Sequence, residues 1–267
     1  MKAVKYYMKK TGIMALLLAL LTACNKEEQE VEKAIHVVVN GYNGSEHEWE
    51  VAIDTTKYSQ YVSNGKFIIR SASITGFEAT YIYRTAQLHG QMTLTDRTTG
   101  KVVLSQPLPA TGTKAYFNFI YIDGKELALN EPAPDAATNK LGFYLYGIDK
   151  NTPVDMFLYR KDGSSGKEYR EYLVKNVQPG KWVYIDYVAP VNFDNKSVLR
   201  NAFIYFTKAG TTDQWAFQDS EALSKLSLFG MSFPIAGEKG LVLPYFIKYS
   251  ERPLEKSRMF FHPDRVW

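Results

Sequence analysis

Alternation with a period of two runs through most of the chain after residue 34, and it leaves little room for anything but strands. Lys114–Ile122 (KAYFNFIYI) sets Tyr116, Asn118 and Ile120 against Phe117, Phe119 and Tyr121. Residues 182–188 (WVYIDYV) set Trp182, Tyr184 and Asp186 against Val183, Ile185 and Tyr187. Residues 202–207 (AFIYFT) are β-branched and aromatic. Successive side chains of a strand point to opposite faces, so this is the pattern of a half-buried strand. β-branched and aromatic side chains pack well on a pleated surface. A helical period survives in few windows. The best is 220–228, where Asp219 or Ser220 offers an N-cap and a short helix is predicted.

Turn chemistry separates the runs. Residues 92–95 and 102–105 flank Asp96-Arg97-Thr98-Thr99-Gly100-Lys101, a hairpin with a glycine available for positive φ. Residues 156–161 and 168–174 flank Asp162-Gly163-Ser164-Ser165-Gly166-Lys167, a second hairpin. Asp123-Gly124 marks a further turn. Short strands at this spacing predict an all-β chain made of antiparallel β-sandwiches. Residues 131–140 (EPAPDAATNK) suit neither helix nor strand and read as a linker. The flanking segments, 35–130 and 141–267, are each long enough to close a core. They form a weak repeat: IHVVVNG then WEVAID in the first, LGFYLYG then VDMFLY in the second. Two β-sandwich domains in tandem are therefore expected. Pro244 lacks a donor, which predicts an edge position or a bulge. The tail from residue 252 carries Phe260, Phe261 and Trp267 and is expected to fold back on the second sandwich.

The first residues have a different logic. Lys9 and Lys10 precede an unbroken apolar run at 13–21 (IMALLLALL). That run is shorter than the ~20 residues a bilayer span needs and fits a secretory signal. Met8 begins an equally complete signal. Leu21-Thr22-Ala23-Cys24 follows and resembles the lipobox of bacterial lipoproteins. The resemblance implies removal of residues 1–23, diacylglycerol on the Cys24 sulfur, and anchoring to a membrane through that lipid. Cys24 is the sole cysteine, so no intrachain disulfide or cysteine zinc cluster is possible, and an exported chain must rely on its core. Residues 24–34 are an acidic, solvated tether. Within them Lys26-Glu27-Glu28 resembles the surface-export signal of Bacteroidetes lipoproteins, which implies an outer-membrane protein facing the cell exterior; the plainer reading is a tether alone. Asp54-Thr55-Thr56 resembles the Asp-Thr-X acceptor of Bacteroidetes O-glycosylation, implying a glycan on Thr55, against an ordinary strand-end turn. As a whole the chain resembles surface-exposed Bacteroidetes lipoproteins with tandem transthyretin-like or immunoglobulin-like sandwiches.

The charge excludes one class of partner. The formal +4 includes Lys2, Lys5, Lys9 and Lys10, and residues 1–23 hold no acid. The mature chain is near neutral, with no basic stripe for nucleic acid. Enzyme motifs are missing: no G-x-S-x-G, H-E-x-x-H, G-x-G-x-x-G or C-x-x-C occurs. Residues 163–167 (GSSGK) have the wrong spacing for a phosphate loop and read as a hairpin tip. His36, His47, His89 and His262 are scattered without ligand spacing. No catalytic residue, metal or cofactor is expected.

Aromatics are the unusual quantity. Of 38, two lie in the signal, 12 in the first half and 24 from Lys140 onward, so any stacking platform belongs to the second half. Sugar rings present apolar C–H faces that exposed Trp and Tyr can cover. Trp215, in the polar run Thr211-Thr212-Asp213-Gln214-Trp215, is the leading ligand-binding residue. Trp182 and Tyr184, which share a strand face with Asp186, are its companions. The expected function is a non-catalytic binding or accessory protein that holds a glycan or small nutrient near an outer-membrane transporter, with the site on the second sandwich or at the junction. A fimbrial or surface-layer component is the alternative, and a sandwich-fold hydrolase trails both.

Overall fold

The computed structural model describes residues 32–58, 68–84, 90–149 and 151–249, and the backbone of 255–256. Cys24, Lys26, Glu27, Glu28, His89, His262, Phe260, Phe261 and Trp267 lie outside the described residues. The protein is all-β: of the described residues 52% are strand and 4% helix.

The first half holds nine strands: β1 (Glu32–Asn43), β2 (Trp49–Ile53), β3 (Thr56–Tyr58), β4 (Ile68–Ile69), β5 (Ser73–Arg84), β6 (Gln91–Asp96), β7 (Val102–Pro107), β8 (Lys114–Ile122) and β9 (Lys125–Glu126). They form sheet A, ordered β5-β1-β8-β9, and sheet B, ordered β3-β2-β6-β7 with β4 also on β2. The second half holds β10 (Asn139–Tyr146), β11 (Val154–Lys161), β12 (Glu168–Val177), β13 (Trp182–Tyr187), β14 (Phe203–Lys208), β15 (Lys225–Ser227), β16 (Val242–Lys248) and β17 (Glu255–Lys256). These form sheet C, ordered β13-β10-β16-β17, and sheet D, ordered β12-β11-β14-β15.

The two orders are the same once β3 and β4, which pair with neighbouring stretches of β2, are read as one interrupted strand matching β12. The weak sequence repeat is thus a repeat of topology. In each half one face of each sheet turns inward. Val37, Val39, Phe117 and Phe119 of sheet A meet Trp49, Val51, Met92 and Leu94 of sheet B. Leu141, Phe143, Leu243 and Tyr245 of sheet C meet Met156, Leu158, Ile204 and Phe206 of sheet D. Burial at ~25 cal/mol per Å² of apolar surface stabilises both packings, and no disulfide is available to help.

Two sequence expectations change on inspection. The sheets are not purely antiparallel: β1 pairs β8 in parallel from His36–Lys114 to Asn43–Tyr121, and β10 pairs β16 in parallel. Residues 220–228 form no helix; turns lead into β15, because Leu226 and Leu228 are drawn into the core by pairing with β14. The α-helix present, α1 (Lys196–Arg200), starts at Asn195, whose side chain accepts the Val198 N–H at 3.0 Å. Pro244 lies inside β16, opposite Gly142. Lys140 N–H donates to Leu241 O, so odd-numbered residues of β16 face β10 and the Pro244 nitrogen points away. On that side, among the described residues, β17 reaches only Ile247 and Lys248, so within them the strand is an edge where the proline sits.

The halves meet through the outer faces of sheets A and C. Tyr42, Ile120 and Ile122 pack on Tyr144 and Phe246, with Leu127 and Leu129 of the connecting segment alongside. Tyr42 lies 5.0 Å from Phe246 and 5.4 Å from Tyr146 between ring centroids. Lys248 Nζ donates to the Ala72 carbonyl at 3.1 Å across the same seam.

Candidate functional site

The outer face of sheet D is the aromatic one. Alternation sends Met156 and Leu158 of β11 inward and Phe157 and Tyr159 outward; on β14 it sends Ile204 and Phe206 inward and Phe203 and Tyr205 outward. Phe157 and Tyr205 are directly opposite in register, with ring centroids 5.7 Å apart and stacked. Tyr172 of β12 flanks Phe157 at 5.8 Å, Tyr159 meets the Tyr205 ring edge-on at 4.6 Å, and Trp215 covers Tyr205 from the far side at 5.3 Å. Phe157 and Tyr205 are 2% and 4% exposed, whereas Tyr172 is 47% exposed. The face therefore has a buried aromatic floor and an open aromatic rim.

Cations lie over this floor. The Arg170 guanidinium sits 5.2 Å from the Phe157 centroid and 5.7 Å from that of Tyr159, and donates to the Thr212 carbonyl at 3.2 Å. Lys175 Nζ stands 4.4 Å above Tyr172, and Lys225 Nζ 5.6 Å from Phe203. Each such contact is worth about 0.5–1 kcal/mol where exposed. Tyr205 donates to Glu221 at 2.7 Å, and Glu221 also pairs with Lys225. Burial, then the bond to Glu221, raises the Tyr205 phenol above its usual range, so it remains a donor at neutral pH. Glu221 is held below the usual glutamate value, first by the Tyr205 hydroxyl and then by Lys225.

At the end of this face an open cleft of about 460 Å³ is lined by Asp155, Tyr172, Lys175, Asn176 and the 209–212 turn. Asp155 is 3% exposed and joins its walls. One carboxylate oxygen accepts the Asn176 N–H at 2.7 Å and the other the Gly210 N–H at 3.0 Å. Asn176 and Gly210 both take positive φ, 56° and 77°. The strand pairing explains why: Val154 pairs Val177 and Met156 pairs Val174, so Asp155 alone faces two residues, Lys175 and Asn176, one more than a regular ladder holds. This bulge aims Lys175 at the same face as Tyr172, a common use of bulges beside functional sites. The sequence carries no visible mark of it, since Lys175 and Asn176 are both polar and either could be the extra residue.

The residues singled out from sequence do not converge. Trp215 is half-buried on sheet D, tied to the strand edge by a bridge to Thr207. Trp182 and Tyr184 lie on the outer face of sheet C, with the core of the half between them and Trp215. Trp182 Nε1 donates to the Ala128 carbonyl at 3.0 Å, and the Tyr184 hydroxyl to the Leu129 carbonyl at 2.7 Å. The Tyr184 ring also fills the space over Gly142, where a Cβ would approach it to 2.4 Å. Trp182 and Tyr184 thus hold the connecting segment against sheet C. Asp186, on the same face, pairs with Lys140. Sequence reasoning missed Phe157, Tyr159, Arg170, Tyr172, Lys175 and Tyr205, although the outward parity of 157/159 and 203/205 was available as a signal.

Thr55 is exposed in the turn between β2 and β3, beside Asp54 at φ 51°, and Asp54 accepts the Tyr81 hydroxyl at 3.0 Å. Among the described residues, no three His, Cys, Asp or Glu side chains converge as metal ligands, and no helix is long and apolar enough to cross a membrane. His47 Nδ1 contacts Asp96 at 2.7 Å and His36 lies 3.7 Å from Glu78, each a separate pair on the first half.

No protein-family model matches the chain, and no curated protein matches it. Among solved structures it is similar to the Bacillus anthracis TIE protein, at 9% identity and a TM-score of 0.18, over 82% of this chain and 34% of that one. The chain thus spans about a third of that protein's length, and the likeness carries no argument.

Proposed function

We propose that this protein is a non-catalytic glycan-binding lipoprotein of the outer cell surface, and that its ligand lies on the outer face of sheet D. One observation supports this reading above others. The fold requires apolar residues on the inner faces of its sheets, yet sheet D carries a second aromatic set, Phe157, Tyr159, Tyr172, Phe203, Tyr205 and Trp215, on the outside. Flat rims such as Tyr172 and Trp215 suit the C–H faces of sugar rings, and the cleft beside them offers backbone and hydroxyl groups from 209–212. In this reading Cys24 carries the lipid, the residues between it and β1 form the tether, β1–β9 and β10–β17 belong to the two domains, which take in Glu32–Ala34 of the expected tether and Asn139–Lys140 of the expected linker, and Lys26-Glu27-Glu28 directs the chain outward. A neighbouring outer-membrane transporter would receive the ligand, and Thr55 is a place for O-glycosylation.

The test is a glycan array probed with the full mature chain and with Trp215→Ala and Tyr172→Ala. Stacking of a base on an aromatic is worth ~1–3 kcal/mol; at a similar strength, each variant loses about ten-fold in affinity. A wild-type chain that binds no glycan, or variants that bind as well as wild type, overturn the reading. Cys24→Ala should release the protein from the membrane fraction, and retention there would overturn the lipid anchor.

A further inference from the structure

We infer that the glycan taken by sheet D is acidic, its rings bearing carboxylate or sulfate groups that Arg170 and Lys175 read. This rests on the glycan reading of that face. Five cations reach the face or its border: Lys161, Arg170, Lys175, Lys208 and Lys225. Three are neutralised, Lys161 by Glu168 at 3.4 Å, Lys208 by Asp219 at 2.7 Å and Lys225 by Glu221 at 3.2 Å. The other two are not. Arg170 has ring contacts and the Thr212 carbonyl, Lys175 has the Tyr172 ring, and among the described residues no carboxylate pairs with either. Asp213, next to Thr212, forms no ion pair with them.

Their placement is built rather than incidental. The bulge that sets Lys175 and Asn176 opposite Asp155 turns Lys175 onto the face, and buried Asp155 pins that bulge and the 209–212 turn at once. Arg170 is oriented by the Thr212 carbonyl at the border of the same cleft. Tyr172 lies between the two cations, two residues from Arg170 and under Lys175. A sugar ring that takes the place of the Lys175 ammonium over Tyr172 lies next to that displaced cation, with Arg170 two residues along the strand. A neutral sugar can offer these donors only hydroxyl oxygens. An anionic substituent gains a charge-assisted contact, stronger than a neutral hydrogen bond, and Arg adds a fork that matches carboxylate or sulfate geometry. Asp155 is a positioning residue, since both its oxygens are occupied by backbone.

The experiment compares three hexasaccharides by calorimetry on the full mature chain: hexagalacturonate, a sulfated galactan and a neutral galactan. At least one acidic probe should bind ten-fold or more above the neutral one, and the preferred probe identifies the anionic group. Lys175→Gln, at an exposed position, should lose about ten-fold toward that probe with the melting temperature unchanged. Raising salt should weaken the same binding by screening. Asp155→Asn should lower affinity for the acidic probe more than it disturbs Trp215 stacking, read by indole fluorescence. If the neutral probe binds as tightly as the acidic ones, the charge reading is overturned while the aromatic platform stands. If no probe binds, both fall.

Discussion

The outer faces of sheets B and D occupy equivalent places in the repeat and carry opposite chemistry. The register that sets Phe157 opposite Tyr205 in sheet D sets Ala52 opposite Thr93 in sheet B. Asp155 in the one corresponds to Glu50 in the other, which is 18% exposed and reaches Lys57 at 3.5 Å. The inner faces are alike in kind: both are packed with Val, Ile, Leu, Met and aromatic side chains. The backbone order therefore tolerates a small, polar outer face and does not itself require an aromatic one. What it costs is a second buried layer outside the core, which has become part of the structure that holds it.

The comparison breaks most sharply at its centre. Phe157→Ala should destabilise by about 3–5 kcal/mol, the range for a buried phenylalanine, while Thr93→Ala should stay within about 1 kcal/mol; urea unfolding reads both. Equal, small effects would mean that the outer floor of sheet D is not packed. The acidic pair comes next. Asp155→Ala removes the charged acceptor of the Asn176 and Gly210 N–H groups, two bonds worth about 1.5–3 kcal/mol each, whereas Glu50→Ala removes a partly exposed ion pair worth about 0–1 kcal/mol. A cost for Asp155 no larger than that for Glu50 would remove its role in joining the cleft walls.

The smallest effect separates two hairpins of like design. Asp96 accepts the N–H groups of Thr98 and Thr99, and Asp162 those of Ser164 and Ser165. Partial desolvation pushes Asp96 up, but these bonds and His47 prevail and hold it at about 2. Asp162 is lowered too, with the Ser164 hydroxyl as the largest cause. Because the folded value of Asp96 lies below the unfolded value near 4, its contribution is complete above about pH 4. It is lost as pH falls through 2. A carboxyl titration by NMR should place the Asp96 midpoint near 2, and a midpoint near 4 would show that the turn does not hold it.

Much of this fold is legible in the sequence because one strand is enough to reveal its own faces. The alternation at 114–122 and 182–187 assigns inner and outer residues as the structure has them, and both Asp-to-Gly hairpins follow from local turn chemistry. The repeat was visible only as a pattern of strand openings, since it is conserved in topology while its side chains differ. Pairing between distant strands left no local mark, so the parallel β1–β8 and β10–β16 ladders could not be read. The 220–228 segment failed for the same reason, because its apolar residues are placed by β14 and not by a helical period. The candidate site was half legible: Trp215 was found from its polar surroundings, but parity alone could not say that Trp182 faces the first half while Trp215 faces away from it.

The parallel pairing of first and last long strands has a mechanical consequence. In the first half the chain enters along β1 and leaves along β8 in the same direction, with eight residue pairs in register from His36–Lys114 to Asn43–Tyr121. A pull between residues 32 and 122 drags the two strands past one another along their length. The hydrogen bonds between them are then loaded together, in shear, and do not open one at a time like a zip. The second half repeats the device, with β10 and β16 paired from Lys140–Val242 to Tyr146–Lys248. A chain drawn taut from its amino-terminal end thus meets two shear clamps in series, and each must yield as a unit before its sandwich extends.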